Sequence, residues 1–207
     1  MITKEQFESG YTYSDYRNLV DSEFEKGRTT GPNQGDDYLN YTKMNIQRMN
    51  RLDKTIELDD ELITKLKAQP CKVNWLLITE AWCGDAAQNV PILSKMAEAS
   101  PNIELRLILR DENLQIMDQY LTNGGRAIPK LIILDGDMNE ITTWGPRPSI
   151  VQEMVMENKR TDTMPYSEFG KVVQKWYAKD KGKALQLEMM TIIEQMECVL
   201  DERLNNH

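Results

Sequence analysis

The stretch V-N-W-L-L-I-T-E-A-W-C-G-D-A occupies residues 73–86 and decides the fold of this chain. Residues 73–79 are nearly all apolar, which is typical of a central strand covered on both faces. Cys83 follows after a short turn, and a helix kinked at Pro91 is predicted from there to about Glu98. Because the strand ends and the helix begins at Cys83, backbone N–H groups and the helix dipole favour an anion there. A thiol in this place is a candidate nucleophile, since the thiolate is the reactive form of cysteine.

The segments that follow alternate between strand and helix patterns. Residues 103–109 have the pattern of a second buried strand, and residues 114–121 that of a helix ended by a glycine-rich turn. Residues 130–134 and 139–144 flank an Asp-Gly-Asp turn and are predicted to form a hairpin. Residues 56–58 are a further short strand candidate. This alternation predicts an α/β protein with a central mixed sheet and helices on both faces.

Both ends of the chain have helical patterns. Residues 1–55 are predicted to form an N-terminal helical extension, with a loop at residues 27–35 that is rich in Gly, Pro and Asn. Residues 161–207 are predicted to form a C-terminal helical extension with a break around residues 180–182. The α/β domain is expected to lie between them, at residues 56–160.

The composition is that of an ordinary soluble globular protein, with 40% hydrophobic and 28% charged residues. The net charge is −8 and no basic stripe is present, so nucleic acid is not an expected partner. No apolar run approaches the ~18 residues of a membrane-spanning helix, and the first ten residues lack the apolar core of a signal peptide. A cytoplasmic location without membrane association is therefore expected.

Cysteine and histidine are scarce. The three cysteines, Cys71, Cys83 and Cys198, are odd in number and widely spaced, which fits a reducing cytoplasm better than a disulfide framework. The single histidine, His207, is the last residue. Without a C-x-x-C pair or a second histidine, neither a metal site nor a His-based catalytic triad is expected.

Four features, in order along the chain, carry a family resemblance. Trp82-Cys83-Gly84-Asp85 follows the apolar strand, and Pro91 lies eight residues after the cysteine, where thioredoxins have the proline that kinks the active-site helix. Ile128-Pro129 opens the next-to-last strand, where that family has its cis-proline, and a hairpin with a final helix closes the domain. Residues 56–160 therefore resemble the thioredoxin fold, and more narrowly the thioredoxin-like proteins whose motif reads W-C-G-D. The resemblance extends to neither helical extension.

The resemblance implies roles for five residues around the motif. Cys83 would be the catalytic residue, and a substrate would lie against Trp82, Asp85, Ile128 and Pro129. In thioredoxin-like proteins a cis bond before the proline, here Ile128–Pro129, exposes the backbone of the preceding residue to an extended peptide or to glutathione. A reactive thiol at this site is expected to react with a thiol probe faster than free cysteine does.

The motif also departs from the thioredoxin pattern. Ala86 stands where a dithiol site has its second cysteine, and Leu77 stands where thioredoxins bury an aspartate that handles the proton of that second thiol. Both changes remove the intramolecular dithiol cycle. Asp85 can complement the start of the helix, but its charge opposes formation of the thiolate. The sequence leaves open whether the pKa of Cys83 is raised or lowered.

Neither remaining cysteine is an evident resolving thiol. Cys71 precedes the first strand and Cys83 follows its far end, a separation of roughly 23 Å at ~3.3 Å for each extended residue. A disulfide needs Cα atoms within ~7 Å, so Cys71 is excluded within one chain. Cys198 lies on a helix of unknown placement, so apolar packing and a resolving role both stay open.

Two functions from different classes follow. One is a monothiol thiol–disulfide oxidoreductase, in which Cys83 forms mixed disulfides with glutathione or with protein thiols and disulfides. Glutathione is then a possible co-substrate, and no other cofactor is expected. The other is a non-catalytic module that binds an extended peptide or protein along the Ile128–Pro129 edge.

Glutathione-assisted iron–sulfur binding is disfavoured, because monothiol glutaredoxins have C-G-F-S where this chain continues with Asp85-Ala86. The substrate, the reductant and the oligomeric state are not set by the sequence.

Two further groups have open interpretations. Arg110 falls at the same edge of the sheet as Cys83. It either holds a carboxylate or the backbone of glutathione, or is solvated or paired with Asp111 or Glu112. The tyrosines of the N-terminal helices either pack that extension onto the domain or cover the Cys83 site; they are Tyr11, Tyr13, Tyr16, Tyr38 and Tyr41.

Overall fold

The computed structural model describes residues 2–205, and the side chains of residues 2–196. The side chain of Cys198 and the whole of His207 lie outside the described residues.

A four-stranded mixed sheet forms the centre of the protein, in the order β2-β1-β3-β4. The strands are β1 (Val73–Thr79), β2 (Ile103–Leu109), β3 (Lys130–Asp135) and β4 (Glu140–Trp144). β1 is parallel to β2 and antiparallel to β3, and β3 and β4 form the predicted hairpin. Every residue of β1 and β3 is buried, as expected for strands covered on both faces. The prediction of an α/β fold with helices on both faces of a mixed sheet is confirmed.

Helices precede, connect and follow the strands. They are α1 (Lys4–Glu8), α2 (Tyr13–Glu25), α3 (Asp36–Thr55), α4 (Asp60–Ala68), α5 (Gly84–Glu98), α6 (Leu114–Met117), α7 (Ser149–Thr161), α8 (Tyr166–Asp180) and α9 (Lys183–Asn205). A 3₁₀ turn at Arg110–Glu112 precedes α6. α6 is shorter than the predicted helix at 114–121, because the chain enters a tight turn in which Thr122 and Gly125 exchange backbone hydrogen bonds.

The strand predicted at residues 56–58 is wrong. This segment is extended but pairs with no strand among the described residues. Side chains of α5 and α9 meet its backbone groups instead. Lys95 Nζ donates to the Ile56 carbonyl oxygen, Gln186 Nε2 donates to the Glu57 carbonyl oxygen at 3.1 Å, and Gln186 Oε1 accepts from the N–H of the next residue, Asp59, at 2.8 Å. A side-chain amide can satisfy backbone groups that would otherwise need a neighbouring strand.

The N-terminal extension adds to the edge of the sheet. Tyr11 exchanges two backbone hydrogen bonds of 2.8 Å with Leu107 of β2. Gly10 permits this approach, because a Cβ there would lie 2.9 Å from Arg106 Cβ. The extension therefore covers an edge that would otherwise expose unpaired backbone groups.

The C-terminal helices divide into two parts. Buried residues of α9 join the main core, whereas Val151, Val173 and Tyr177 of α7 and α8 form a separate small apolar cluster. The predicted break between α8 and α9 is confirmed at Lys181 and Gly182, which have positive φ angles of 57° and 77°. Gly182 is required there, since a Cβ would lie 2.5 Å from Ile92 Cδ1. Within residues 2–205, no helix has the length and apolar character needed to cross a bilayer.

Candidate functional site

Cys83 lies where β1 has ended and α5 begins. It is the N-cap residue of α5, and its Sγ accepts a hydrogen bond from the Ala86 N–H at 3.4 Å. The same sulfur donates its proton to the Ile128 carbonyl oxygen at 3.2 Å. Only 9% of the residue is exposed. The thiol is therefore enclosed between the start of a helix and the segment that leads into β3.

Burial raises the pKa of the Cys83 thiol to about 12, and the charge of Asp85 acts in the same direction. The N–H groups of Ala86 and Asp85 and the charge of Arg147 lower that pKa, but by less. The pKa of Cys83, whose direction of change the sequence left open, is therefore raised. In the arrangement seen, Cys83 is a protonated thiol at neutral pH, and it is expected to react more slowly than free cysteine rather than faster.

Asp85 faces the C-terminal helices. Its Oδ2 accepts hydrogen bonds from Arg147 Nε at 3.0 Å and Nη2 at 2.6 Å. Its Oδ1 accepts from the Tyr177 hydroxyl at 2.8 Å, and that hydroxyl accepts in turn from Asn89 Nδ2 at 3.1 Å. A carboxylate that was predicted to contact a substrate is thus engaged by the protein itself.

α8 lies across the first two turns of α5. Gln88 Nε2 donates to Gln174 Oε1 at 2.8 Å. A Cβ on Gly84 would lie 2.9 Å from Gln174 Nε2, so the glycine of the W-C-G-D motif permits this close approach. Together with the Tyr177–Asp85 bond, these contacts make α8 a cover over the helix start beside Cys83.

Trp82 is half-buried beside the thiol. The Arg110 guanidinium lies 4.6 Å from the centre of its ring, and the Tyr38 ring meets it edge-on at 5.5 Å. Arg110 also pairs with Asp111, with Nε 2.8 Å from Oδ1. The ion pair with Asp111, one of the interpretations that the sequence left open for Arg110, is therefore formed. Among the described residues, Tyr38 is the one N-terminal tyrosine whose ring contacts Trp82, and Tyr16 is buried in the core.

The Ile128–Pro129 peptide bond is cis. Ile128 is 5% exposed, and its carbonyl oxygen accepts the Cys83 proton. The structure therefore brings Cys83, Ile128 and Pro129 together and places Trp82 and Asp85 on either side of the thiol. The Ile128 carbonyl that an extended peptide would use is occupied by Cys83 in this arrangement.

Glu80 is a site residue that the sequence reasoning missed. Its carboxyl is completely buried and accepts hydrogen bonds from Thr30 Oγ1 at 2.5 Å and from the Asp111 N–H at 3.0 Å. Burial raises its pKa to about 7. Thr30 Oγ1 also accepts from the Ala81 N–H at 2.9 Å, which ties the N-terminal loop to the motif. The sequence did contain a signal for Glu80, because it is an acidic residue directly after a buried strand. A charge in such a place needs a partner.

Cys71 and Cys83 are both free thiols. Cys71 precedes the start of β1 and Cys83 follows its end, as the sequence predicts. Cys198 falls outside the side chains that the structure describes.

Comparisons with known proteins place the chain in a family. A sequence model of the thioredoxin family matches residues 31–164, which is more than half of the chain. No curated protein matches the chain.

Several solved structures align with this chain. An HIV epitope-scaffold has a TM-score of 0.60 at 18% identity and covers 95% of this chain and 98% of its own. A Pseudomonas aeruginosa protein of unknown function has a TM-score of 0.55 at 19% identity and covers 92% of this chain and 99% of its own. A Trichomonas vaginalis thioredoxin aligns at 15% identity over 52% of this chain and 94% of its own, with a TM-score of 0.28. The family match decides the assignment: this chain belongs to the thioredoxin family.

Proposed function

We propose that this protein carries out thiol–disulfide exchange through Cys83 alone. The cover formed by α8 prevents this exchange until α8 moves away from the start of α5. The observation that carries the proposal is the position of the thiol, at the N-cap of α5 with the Ala86 N–H donating to its sulfur. Thiols at helix N-termini are stabilised as thiolates by such donors.

Burial opposes this reactivity, and burial is the effect that a movement of the cover would relieve. It is the largest cause of the raised pKa of Cys83. The second cause, the charge of Asp85, is offset in part by the charge of Arg147, which lies 2.6 Å from that carboxylate. With burial relieved, the N–H groups of Ala86 and Asp85 remain to favour the thiolate.

The exchange would take place in two balanced steps. The Cys83 thiolate attacks one sulfur of oxidised glutathione or of a protein disulfide, which forms a mixed disulfide and releases the other sulfur as a thiolate. An external thiolate then attacks the mixed disulfide and restores Cys83. The second step uses an external thiol because Ala86 provides no resolving sulfur.

The test is intact-mass analysis during incubation with oxidised glutathione. The wild-type protein is expected to gain the glutathione adduct slowly, and Cys83→Ser is expected to gain none. Tyr177→Phe removes the hydroxyl that holds Asp85, and a loss of about 1 kcal/mol from the cover raises the open population about fivefold. The adduct should form faster by that factor. Lys175→Gln, a change on the exposed face of α8, is the matched control and should behave like the wild type.

The competing function is the non-catalytic binding module. It is favoured by the hydrogen bond from the thiol to the Ile128 carbonyl, which uses Cys83 as a packing group. If neither the wild type nor Tyr177→Phe gains the adduct while a hydrogen-exchange measurement shows α8 loosened, monothiol exchange is ruled out and the binding module stands. If both gain it at the same rate, control of the exchange by α8 is ruled out.

A further inference from the structure

A cavity of about 590 Å³ lies between the β3–β4 hairpin and the turn after α6. Small-molecule sites have volumes of roughly 300–1,000 Å³, so this cavity has the size of one. Among the described residues, those that line it include none of the five assigned to the Cys83 site. It is therefore a separate feature of the molecule.

Lys130, the first residue of β3, is the unusual member of the lining. Its side chain is buried, with 7% of the residue exposed, and Nζ donates to the Gly145 carbonyl oxygen over a long 3.4 Å. Within residues 2–196, no carboxylate lies at ion-pair distance from it. Burial lowers the pKa of its ammonium group, with no opposing charge to offset that effect. A buried charge is costly unless it is paired and hydrogen-bonded, so this lysine lacks the partner that its position calls for.

The rest of the lining combines polar and apolar groups. Leu134 and Met138 offer apolar surface, and Thr143 offers a hydroxyl. Glu140 also lines the cavity, where its carboxylate accepts a hydrogen bond from the Tyr120 hydroxyl at 2.9 Å. The lining thus has two groups of opposite charge, Lys130 and Glu140, beside apolar and hydroxyl groups. Sites for small organic ligands combine apolar surface with a few polar or charged groups in this way.

We propose that this cavity binds a small organic carboxylate, whose acid group pairs with the Lys130 ammonium and whose body lies against Leu134 and Met138. The acid supplies the charge that the lysine lacks, and a charge-assisted hydrogen bond is stronger than the contact with the Gly145 carbonyl. A neutral ligand of the same shape cannot supply that charge. The proposal does not depend on what Cys83 does.

The test is a chemical-shift titration of the full chain with 2-naphthoate and with its neutral isostere, 2-naphthamide. The acid is expected to bind saturably and at least tenfold more tightly than the amide. Lys130→Met should weaken the acid at least tenfold and abolish its advantage over the amide. Lys72→Met, which alters an exposed lysine outside the cavity lining, is the matched control and should leave both affinities unchanged.

Two more variants keep the result decisive if Lys130→Met folds poorly. Thr143→Phe fills the cavity while leaving the lysine in place, and should weaken both ligands. Glu140→Gln removes a like charge from the lining, and should bind the acid at least as tightly as the wild type. Equal affinity for acid and amide, unchanged binding of the acid by Lys130→Met, or no saturable shift would each overturn the proposal.

Discussion

Two carboxyl groups flank Trp82-Cys83, and each holds one of the helical extensions against the site. Glu80 accepts hydrogen bonds from Thr30 of the N-terminal loop and from the Asp111 N–H, both neutral donors. Asp85 accepts hydrogen bonds from Tyr177 of α8 and from the Arg147 guanidinium, which is a cation. The difference in donors gives the two attachments different chemistry.

A buried carboxyl with neutral donors recovers little of the hydration that its charge loses, so burial raises the pKa of Glu80 to about 7. Asp85 is instead paired with Arg147 through two hydrogen bonds, and both side chains are 13% exposed. The N-terminal attachment therefore depends on pH near neutrality, whereas the C-terminal attachment depends on the cation. Three predictions distinguish the N-terminal attachment from the C-terminal one.

The largest expected effect is at Asp85. Arg147→Met keeps much of the side chain's apolar contact and removes its charge, which leaves a largely buried carboxylate without its cation. Breaking a buried pair in this way costs roughly 3–4 kcal/mol, and that loss should appear as a lower free energy of unfolding in urea. Hydrogen exchange should show the loss concentrated in α7 and α8.

A double-mutant cycle provides the control. Asp85→Asn together with Arg147→Met removes both charges and should recover part of the stability lost in Arg147→Met alone. If the double variant is no more stable than the single one, the pair does not hold the C-terminal helices as described.

The second prediction concerns pH. The pKa of Glu80 is about 7 in the folded protein, above the value of 4.5 that the group has without these contacts. Between these values the unfolded chain releases the proton while the folded chain keeps it. The contribution of Glu80 is therefore fully present below about pH 4.5 and is lost as pH rises through about 7, for a total of roughly 3 kcal/mol.

Urea unfolding at a series of pH values measures this dependence. Glu80→Gln cannot ionise, so the fall in stability between about pH 5 and about pH 8 should largely disappear in that variant. Glu61→Gln alters an exposed carboxyl of α4 and is the matched control. A wild-type profile that Glu80→Gln reproduces unchanged would contradict the assignment of this pH dependence to Glu80.

The parts of this arrangement that the sequence predicts are local. The apolar run at Val73–Thr79 predicts a doubly covered strand, and the W-C-G-D motif after it places Cys83 at a helix start. Both follow from interactions between residues close in the chain, and the structure agrees with them.

The attachments could not be predicted, because their partners are far apart in the chain and have no periodic pattern. Asp85 is 62 residues from Arg147 and 92 from Tyr177, and Glu80 is 50 from Thr30. The pKa of Cys83 depends mainly on burial, to which segments distant in the chain such as Ile128 contribute, so the direction of its shift could not be obtained from the motif. The mistaken strand at 56–58 has a similar cause, since its partner is the distant Gln186.

The smallest expected effect is at Thr30, which links the N-terminal loop to both Glu80 and the Ala81 N–H. Thr30→Val keeps the shape of the side chain and removes the hydroxyl, and loss of these hydrogen bonds should lower the free energy of unfolding by roughly 1–2 kcal/mol. The Thr30 hydrogen bond lowers the pKa of Glu80. Its removal should therefore move the pH at which stability falls to a higher value, a shift that a purely structural role for Thr30 would not produce.

Thr30→Ser keeps the hydroxyl and should retain the wild-type midpoint. If the valine and serine variants have the same midpoint, Glu80 is not tuned by the N-terminal loop, and the contrast with the cation-held Asp85 is reduced to burial alone.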